Sequence, residues 1–187
     1  MKKILFINAC VRPHSRTFIL AKKVLDRLEG SVEEVNLEQA GILPLTWERL
    51  QVRDAHAAEK DFSHPIFQYA CQFAAADEIV LAAPYWDLSF PATVRTYIEA
   101  VCVVGLTFHY TADNVSEGLC RAKKLHYVTT AGGSIGQNNL GYDYIKTIAQ
   151  TFFSIPEFRF YSAENLDLPG MNPEEILQKA IAEINVG

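Results

Sequence analysis

Apolar residues along this chain switch repeatedly between short continuous runs and helical spacing. Lys3–Ala9 is a continuous apolar run, the pattern of a parallel strand buried on both faces. Ala21, Val24, Leu25 and Leu28 then recur at helical spacing, and Gly30 marks the stop. Val32–Leu37 alternates as a short strand, and Glu38–Asp61 has weak periodicity, a loop with some helical turn. Ser63 and Pro65 make a helix start, followed by Phe67, Ala70, Cys71 and Ala74 on one face. Ile79–Ala83 is the third predicted strand, stopped by Pro84, and Val94, Tyr97, Ile98 and Val101 mark the helix behind it. Gly105 interrupts; Leu125–Thr130 gives a fourth strand and Gly132-Gly133 a turn. Ile145, Ile148, Ala149 and Phe152 share a helical face, and Phe158–Tyr161 is a short fifth strand. Asn172-Pro173-Glu174-Glu175 has the form of a capping box opening the last helix, with Leu177, Ala180, Ile181 and Ile184 inward.

Five strands alternating with helices predict an α/β fold: a doubly wound five-stranded parallel sheet with helices on both faces, joined by right-handed crossovers. Periodicity alone does not separate the two common strand orders. No repeat, linker or low-complexity segment divides residues 1–187, so a single domain is expected. In such sheets ligands sit beyond the carboxyl ends of the strands, near the switch in strand order. That rule selects three loops: Cys10–Thr17, Tyr85–Pro91 and Ala131–Gly141.

Composition removes several classes. A net charge of −5 without basic runs argues against nucleic-acid binding. No apolar run has the 18 or so residues needed to cross a bilayer, and the apolar start is too short for a signal peptide. Cys10, Cys71, Cys102 and Cys120 form no C-x-x-C pair, which speaks against zinc and a disulfide framework and for a reducing cytoplasm. Cys71 and Cys102, on apolar helical faces, read as small buried hydrophobes.

The first loop has no glycine and fits neither a dinucleotide fingerprint nor a Walker A loop. Ser15 and Thr17 instead bracket Arg16 at a helix start, where hydroxyls and free N–H groups can hold an anion or simply cap the helix. Cys10 to Thr17 also satisfies C-x5-R-[ST], the pattern of cysteine-dependent phosphatases, in which a thiolate attacks phosphorus and an arginine forks its oxygens. The Asp-Pro general acid of that class is missing. Pro84-Tyr85-Trp86-Asp87-Leu88-Ser89-Phe90-Pro91 suits a flat, largely apolar ring, or equally an aromatic cluster closing the core or an interface. Thr130-Ala131-Gly132-Gly133 permits close approach of backbone to a ligand, or an ordinary tight turn.

Taken together, Ala83–Ala92, Gly105–Thr111 and Thr129–Gly133 resemble the NAD(P)H dehydrogenase (quinone), or FMN-dependent azoreductase, group of flavodoxin-like proteins. The resemblance runs over nearly the whole chain. It implies that Ser15, Arg16 and Thr17 cradle the FMN phosphate, that Pro84, Tyr85, Trp86, Asp87 and Leu88 run along the isoalloxazine, and that Thr130, Ala131, Gly132 and Gly133 approach its pyrimidine side. FAD is the lesser alternative. It further implies a homodimer, NAD(P)H as electron donor, and quinones or azo compounds as acceptors. No protein residue is expected to act as nucleophile or acid–base catalyst, because the cofactor carries the chemistry. Azoreductases often carry Asn where Asp87 stands, and a carboxylate at the pyrimidine edge would disfavour an anionic reduced flavin. A non-enzymatic flavodoxin-type carrier and a phosphatase using Cys10 and Arg16 are the other readings.

Overall fold

The strand β1 (Lys3–Asn8) shows why the sheet forms. Ile4 and Phe6 point to one face, Leu5 and Ile7 to the other, and all four are almost wholly buried. A strand apolar on both sides needs helices on both sides. In the computed structural model, which describes residues 1–187, β1 is flanked by β2 (Ser31–Asn36) and β3 (Glu78–Ala82). Beyond β3 lie β6 (Lys124–Thr130) and β7 (Glu157–Ala163), all pairs being parallel. The order β2-β1-β3-β6-β7 is the flavodoxin-like one, so the strand order that periodicity left open is settled. It reverses direction at β1, placing the switch point between β1 and β3.

The helices follow the two apolar faces. Ile4, Phe6, Val80, Ala82 and Val128 pack with α1 (Arg16–Leu25) and α6 (Pro173–Ala182). Leu5, Ile7, Ile79, Leu81, Leu125 and Tyr127 pack with α3 (Gln68–Ala75), α4 (Ala92–Val101) and α5 (Leu140–Thr151). Asn172 caps α6, accepting from the Glu174 and Glu175 N–H groups while its amide donates to Glu175. The start ahead of α3 differs from expectation. His64, not Ser63, supplies the cap, its Nδ1 accepting from Ile66 N at the head of a 3₁₀ turn over Pro65–Phe67.

Two further elements depart from the sequence expectation. Within the stretch expected as a loop with some helical turn, Trp47–Ala58 forms a full helix, α2, twelve residues capped by Thr46. None of its residues is buried, so no apolar stripe announces it. The region after Gly105 forms a small antiparallel hairpin, β4 (Phe108–Tyr110) with β5 (Ser116–Gly118). Cys71 and Cys102 are only half-buried; the buried thiols are Cys10 and Cys120, and all four are free.

At the amino ends of the central strands sits a buried polar network. His126 Nε2 lies 2.6 Å from Glu78 Oε1, and its Nδ1 lies 3.0 Å from the Tyr161 hydroxyl. That hydroxyl donates to the Asn185 carbonyl at 2.8 Å, and Lys2 pairs with the other oxygen of Glu78.

Candidate functional site

At the opposite, carboxyl pole, the first loop turns into α1. Ser15, almost wholly buried, caps the helix by accepting from Phe18 N at 3.3 Å. The N–H groups of Arg16 and Thr17 lie in the first turn and have no intrahelical acceptor, so a favourable anion position is built into the backbone. The Thr17 hydroxyl meets that of Thr130 at 2.6 Å, joining α1 to the end of β6 through two buried side chains. Arg16 turns sideways: Nη1 donates to the Leu166 carbonyl at 3.1 Å and Nη2 to Asp167 Oδ1 at 2.7 Å.

The loop after β3 is a tight reversal. Trp86 N donates to Ser89 O at 3.1 Å and Ser89 N returns to Trp86 O at 2.7 Å. Asp87 and Leu88 between them both have positive φ, 51° and 65°. Reciprocal bonds around two left-handed residues are the signature of a type I′ turn. It is anchored by Tyr85 N to Thr130 O at 3.1 Å and by the Tyr85 hydroxyl, which donates to the Asn138 carbonyl at 2.8 Å.

The loops after β6 and β7 interlock through backbone bonds: Asp167 N to Gly132 O at 2.9 Å, Asn165 N to Gly133 O at 3.0 Å, and Leu166 N to Ala131 O at 3.2 Å. A Cβ on Gly132 would fall 2.4 Å from Asp167 Oδ2, so a larger residue there would push the Asp167 carboxylate out of its present position.

Together these loops enclose a cavity of about 290 Å³. Ser15, Arg16, Thr17, Pro84, Tyr85, Trp86, Thr130, Ala131 and Gly132 line it, as do Val11, Arg12, His14 and Asp167. Asp87, Leu88 and Gly133 do not: the first two occupy the exposed tip of the turn, so no Asp87 carboxylate lines the cavity. Most of the lining is polar or charged, with Tyr85 and Trp86 of the aromatic loop forming one wall. Arg12 and Arg16 outnumber the single carboxylate of Asp167, which gives the mouth a cationic bias in an acidic protein. Asp167 comes from the loop after β7, outside the three loops the sequence selects, although that loop obeys the same carboxyl-end rule.

Cys10 is not poised for phosphoryl transfer. It is buried, with Sγ 4.0 Å from the Ala82 carbonyl, and burial pushes its thiol up to about 11, which the Ser15 hydrogen bond does not offset. Nor does any group of three or more His, Cys, Asp or Glu side chains converge to hold a metal ion.

A flavodoxin-order sheet with an anion-receptive cavity at its switch point, one wall aromatic, defines the class: a flavodoxin-like protein. The comparisons agree. Residues 2–186 match the Flavodoxin_2 family, described as a flavodoxin-like fold, and the chain belongs to that family. It is 36% identical to an FMN-dependent NADH:quinone oxidoreductase 2 of Clostridium acetobutylicum, over 97% of this chain and 95% of the relative. Identity is 34% to an FMN-dependent NADH:quinone oxidoreductase of Clostridium beijerinckii, with the same coverage. Among solved structures, an FMN-dependent NADH-azoreductase of Bacillus anthracis, described as in complex with FMN, superposes with a TM-score of 0.82 at 20% identity. The alignment covers 98% of this chain and 95% of that one.

Proposed function

We propose that this chain binds FMN at the cavity between β1, β3 and β6 and reduces quinones and azo compounds with electrons from NAD(P)H. The observation that carries the reading is the meeting of the unpaired Arg16 and Thr17 N–H groups with the Tyr85–Trp86 wall in one cavity. The two ends suit the two halves of the cofactor: an anion for the helix terminus and a flat ring for the aromatic side chains. Ser15 and Thr17 present hydroxyls to the phosphate, while Arg16, held by Asp167 and Leu166, lends positive charge from the side. The backbone of the Pro84–Trp86 and Thr130–Gly132 segments orients the ring, and Trp86 shields one approach from water. Bound there, the flavin supplies two-electron, hydride-type chemistry, and no residue of the chain need exchange a covalent bond with substrate.

The same reading includes a homodimer. Helix α2 and its approach carry Leu43, Trp47 and Val52, all exposed apolar side chains that a second copy could cover. A cytoplasmic location fits four free thiols, and no helix is long and apolar enough to cross a membrane.

The test is to add FMN, desalt, and follow absorbance anaerobically as NADH and then NADPH are added. Retained flavin that bleaches within the mixing time and recovers on adding a quinone is the expected result. Retained flavin that neither donor reduces would reduce the chain to an electron carrier, and loss of flavin on desalting would overturn the reading.

A further inference from the structure

A second cavity, of about 350 Å³, borders the first and has no part in the proposed chemistry. It lies at the carboxyl ends of β1 and β2, and Val11 and Arg12 line both cavities. Its floor is built. Asn8, only 4% exposed, donates from Nδ2 to Glu34 Oε1 at 2.8 Å and accepts from Cys10 N at 2.9 Å. This hydrogen bond orients the Glu34 carboxylate and leaves its second oxygen uncommitted. Glu38 stands just past the end of β2, its N–H bonded to Asn36 Oδ1 at 3.0 Å. Neither Glu34 nor Glu38 has a cationic partner. Phe18 adds a half-buried aromatic ring to the same wall.

Each component selects a chemistry. Uncommitted carboxylates at the end of a second strand accept from neighbouring hydroxyls, the pattern that holds a ribose diol in α/β sheets. The Arg12 guanidinium at the junction of the cavities matches a phosphate, and Phe18 a planar heterocycle. We propose that this cavity is a subsite for an adenosine 5′-phosphate group, with ribose on Glu34 and Glu38, phosphate at Arg12 and base against Phe18. The choice of adenosine rests on the dinucleotide donor of the proposed function, whose distal half is such a group; FAD would bring the same group. The paired carboxylates repel a 2′-phosphate, so the subsite favours NADH over NADPH.

The test titrates the FMN-loaded protein with AMP and with adenosine 2′,5′-bisphosphate by calorimetry. AMP should bind saturably, and the bisphosphate about tenfold more weakly. Glu38→Gln, an exposed substitution outside the first cavity, should weaken AMP about tenfold while FMN titration is unchanged. AMP competing with NADH in steady state assigns the group to the donor. Weakened FAD but not FMN uptake by Glu38→Gln, without competition against NADH, assigns it to FAD. No AMP binding at about 10 mM, or equal binding by wild type and Glu38→Gln, overturns the subsite. Saturable AMP binding by a chain that retains no FMN would sink the flavin reading and leave the subsite standing.

Discussion

Leu88 is the residue held most at odds with its chemistry. A leucine at φ 65° brings Cβ toward its own carbonyl, at a cost of about 1–2 kcal/mol that glycine escapes. Glycine loses about 0.5–1 kcal/mol more backbone entropy on folding, so Leu88→Gly should stabilise by roughly 0.5 kcal/mol. Thermal melting should rise by about 1–2 °C; a clear fall would mean that the Leu88 side chain contributes contacts outweighing the strain. Asp87, beside it, tolerates the left-handed region better because its short polar side chain can bond locally. An Asn there would do the same, so the Asp-for-Asn departure is a matter of turn chemistry rather than of a charge in the cavity. Trp86 is the turn residue that lines the cavity, and it is 38% exposed. Trp86→Ala removes a stacking surface and should raise the acceptor KM about threefold to tenfold with kcat little changed. Steady-state kinetics with a quinone would show it, and an unchanged KM would remove Trp86 from acceptor binding.

Among the elements, those buried on both sides could be read from the chain and those resting on the surface could not. The runs Ile4–Ile7 and Ile79–Leu81 are apolar throughout, and Leu125–Val128 is broken only by His126, because each strand feeds two cores. Trp47–Ala58 has no such signal, since nothing in it is buried, and three-residue strands such as β4 and β5 leave too short a pattern to detect. The loops at Ser15–Thr17 and Pro84–Trp86 were legible because fold topology brings carboxyl ends together. The Arg16–Asp167 pair, 151 positions apart, was not, because only the folded chain sets that distance. The hairpin nevertheless docks tightly. A Cβ on Gly118 would lie 2.2–2.6 Å from backbone atoms of Phe153 and Ser154, where α5 ends. Backbone cannot rotate aside as a side chain can, so Gly118→Ala should destabilise by about 2–3 kcal/mol. Urea denaturation would measure this, with a wild-type midpoint contradicting it.

For the whole molecule, the two poles of the sheet do different work: the carboxyl pole holds the candidate site and the amino pole holds the His126–Glu78 network. Burial keeps the His126 imidazole below its ordinary value near 6.5, outweighing the neighbouring Glu78 carboxylate. Burial pushes the Glu78 carboxyl up, but hydrogen bonds from Lys2 and His126 outweigh that and hold it below the ordinary carboxylate value. Both folded-state values therefore lie below the unfolded ones, and the unfolded chain binds more protons as pH falls. Stability is present in full above pH 6.5 and is lost on acidification, first through His126 and then, below about 4.5, through Glu78. The slope is about 1.4 kcal/mol per pH unit for one proton. Melting temperatures from pH 8 to 5 should fall in the wild type and fall less in His126→Asn; parallel curves would exclude His126 as the source.

Helix α2 rests on the body with none of its residues fully buried, tied down by Arg53, whose Nη1 donates to the Glu99 carbonyl, and by Ala57 against the Phe67 cluster. In an isolated protomer, then, its amides are protected by the helix and by few tertiary contacts, and they exchange with deuterium through cheaper local opening than those of the sheet. In the proposed dimer the same amides are covered by a second copy, and opening first requires dissociation. Protection across Trp47–Ala58 should consequently follow protein concentration, slow in concentrated solution and fast on dilution, while the amides of β1 and β3 exchange at one rate throughout. Exchange at α2 that ignores dilution would place the contact between copies elsewhere; exchange that tracks it turns this helix into an internal gauge of assembly.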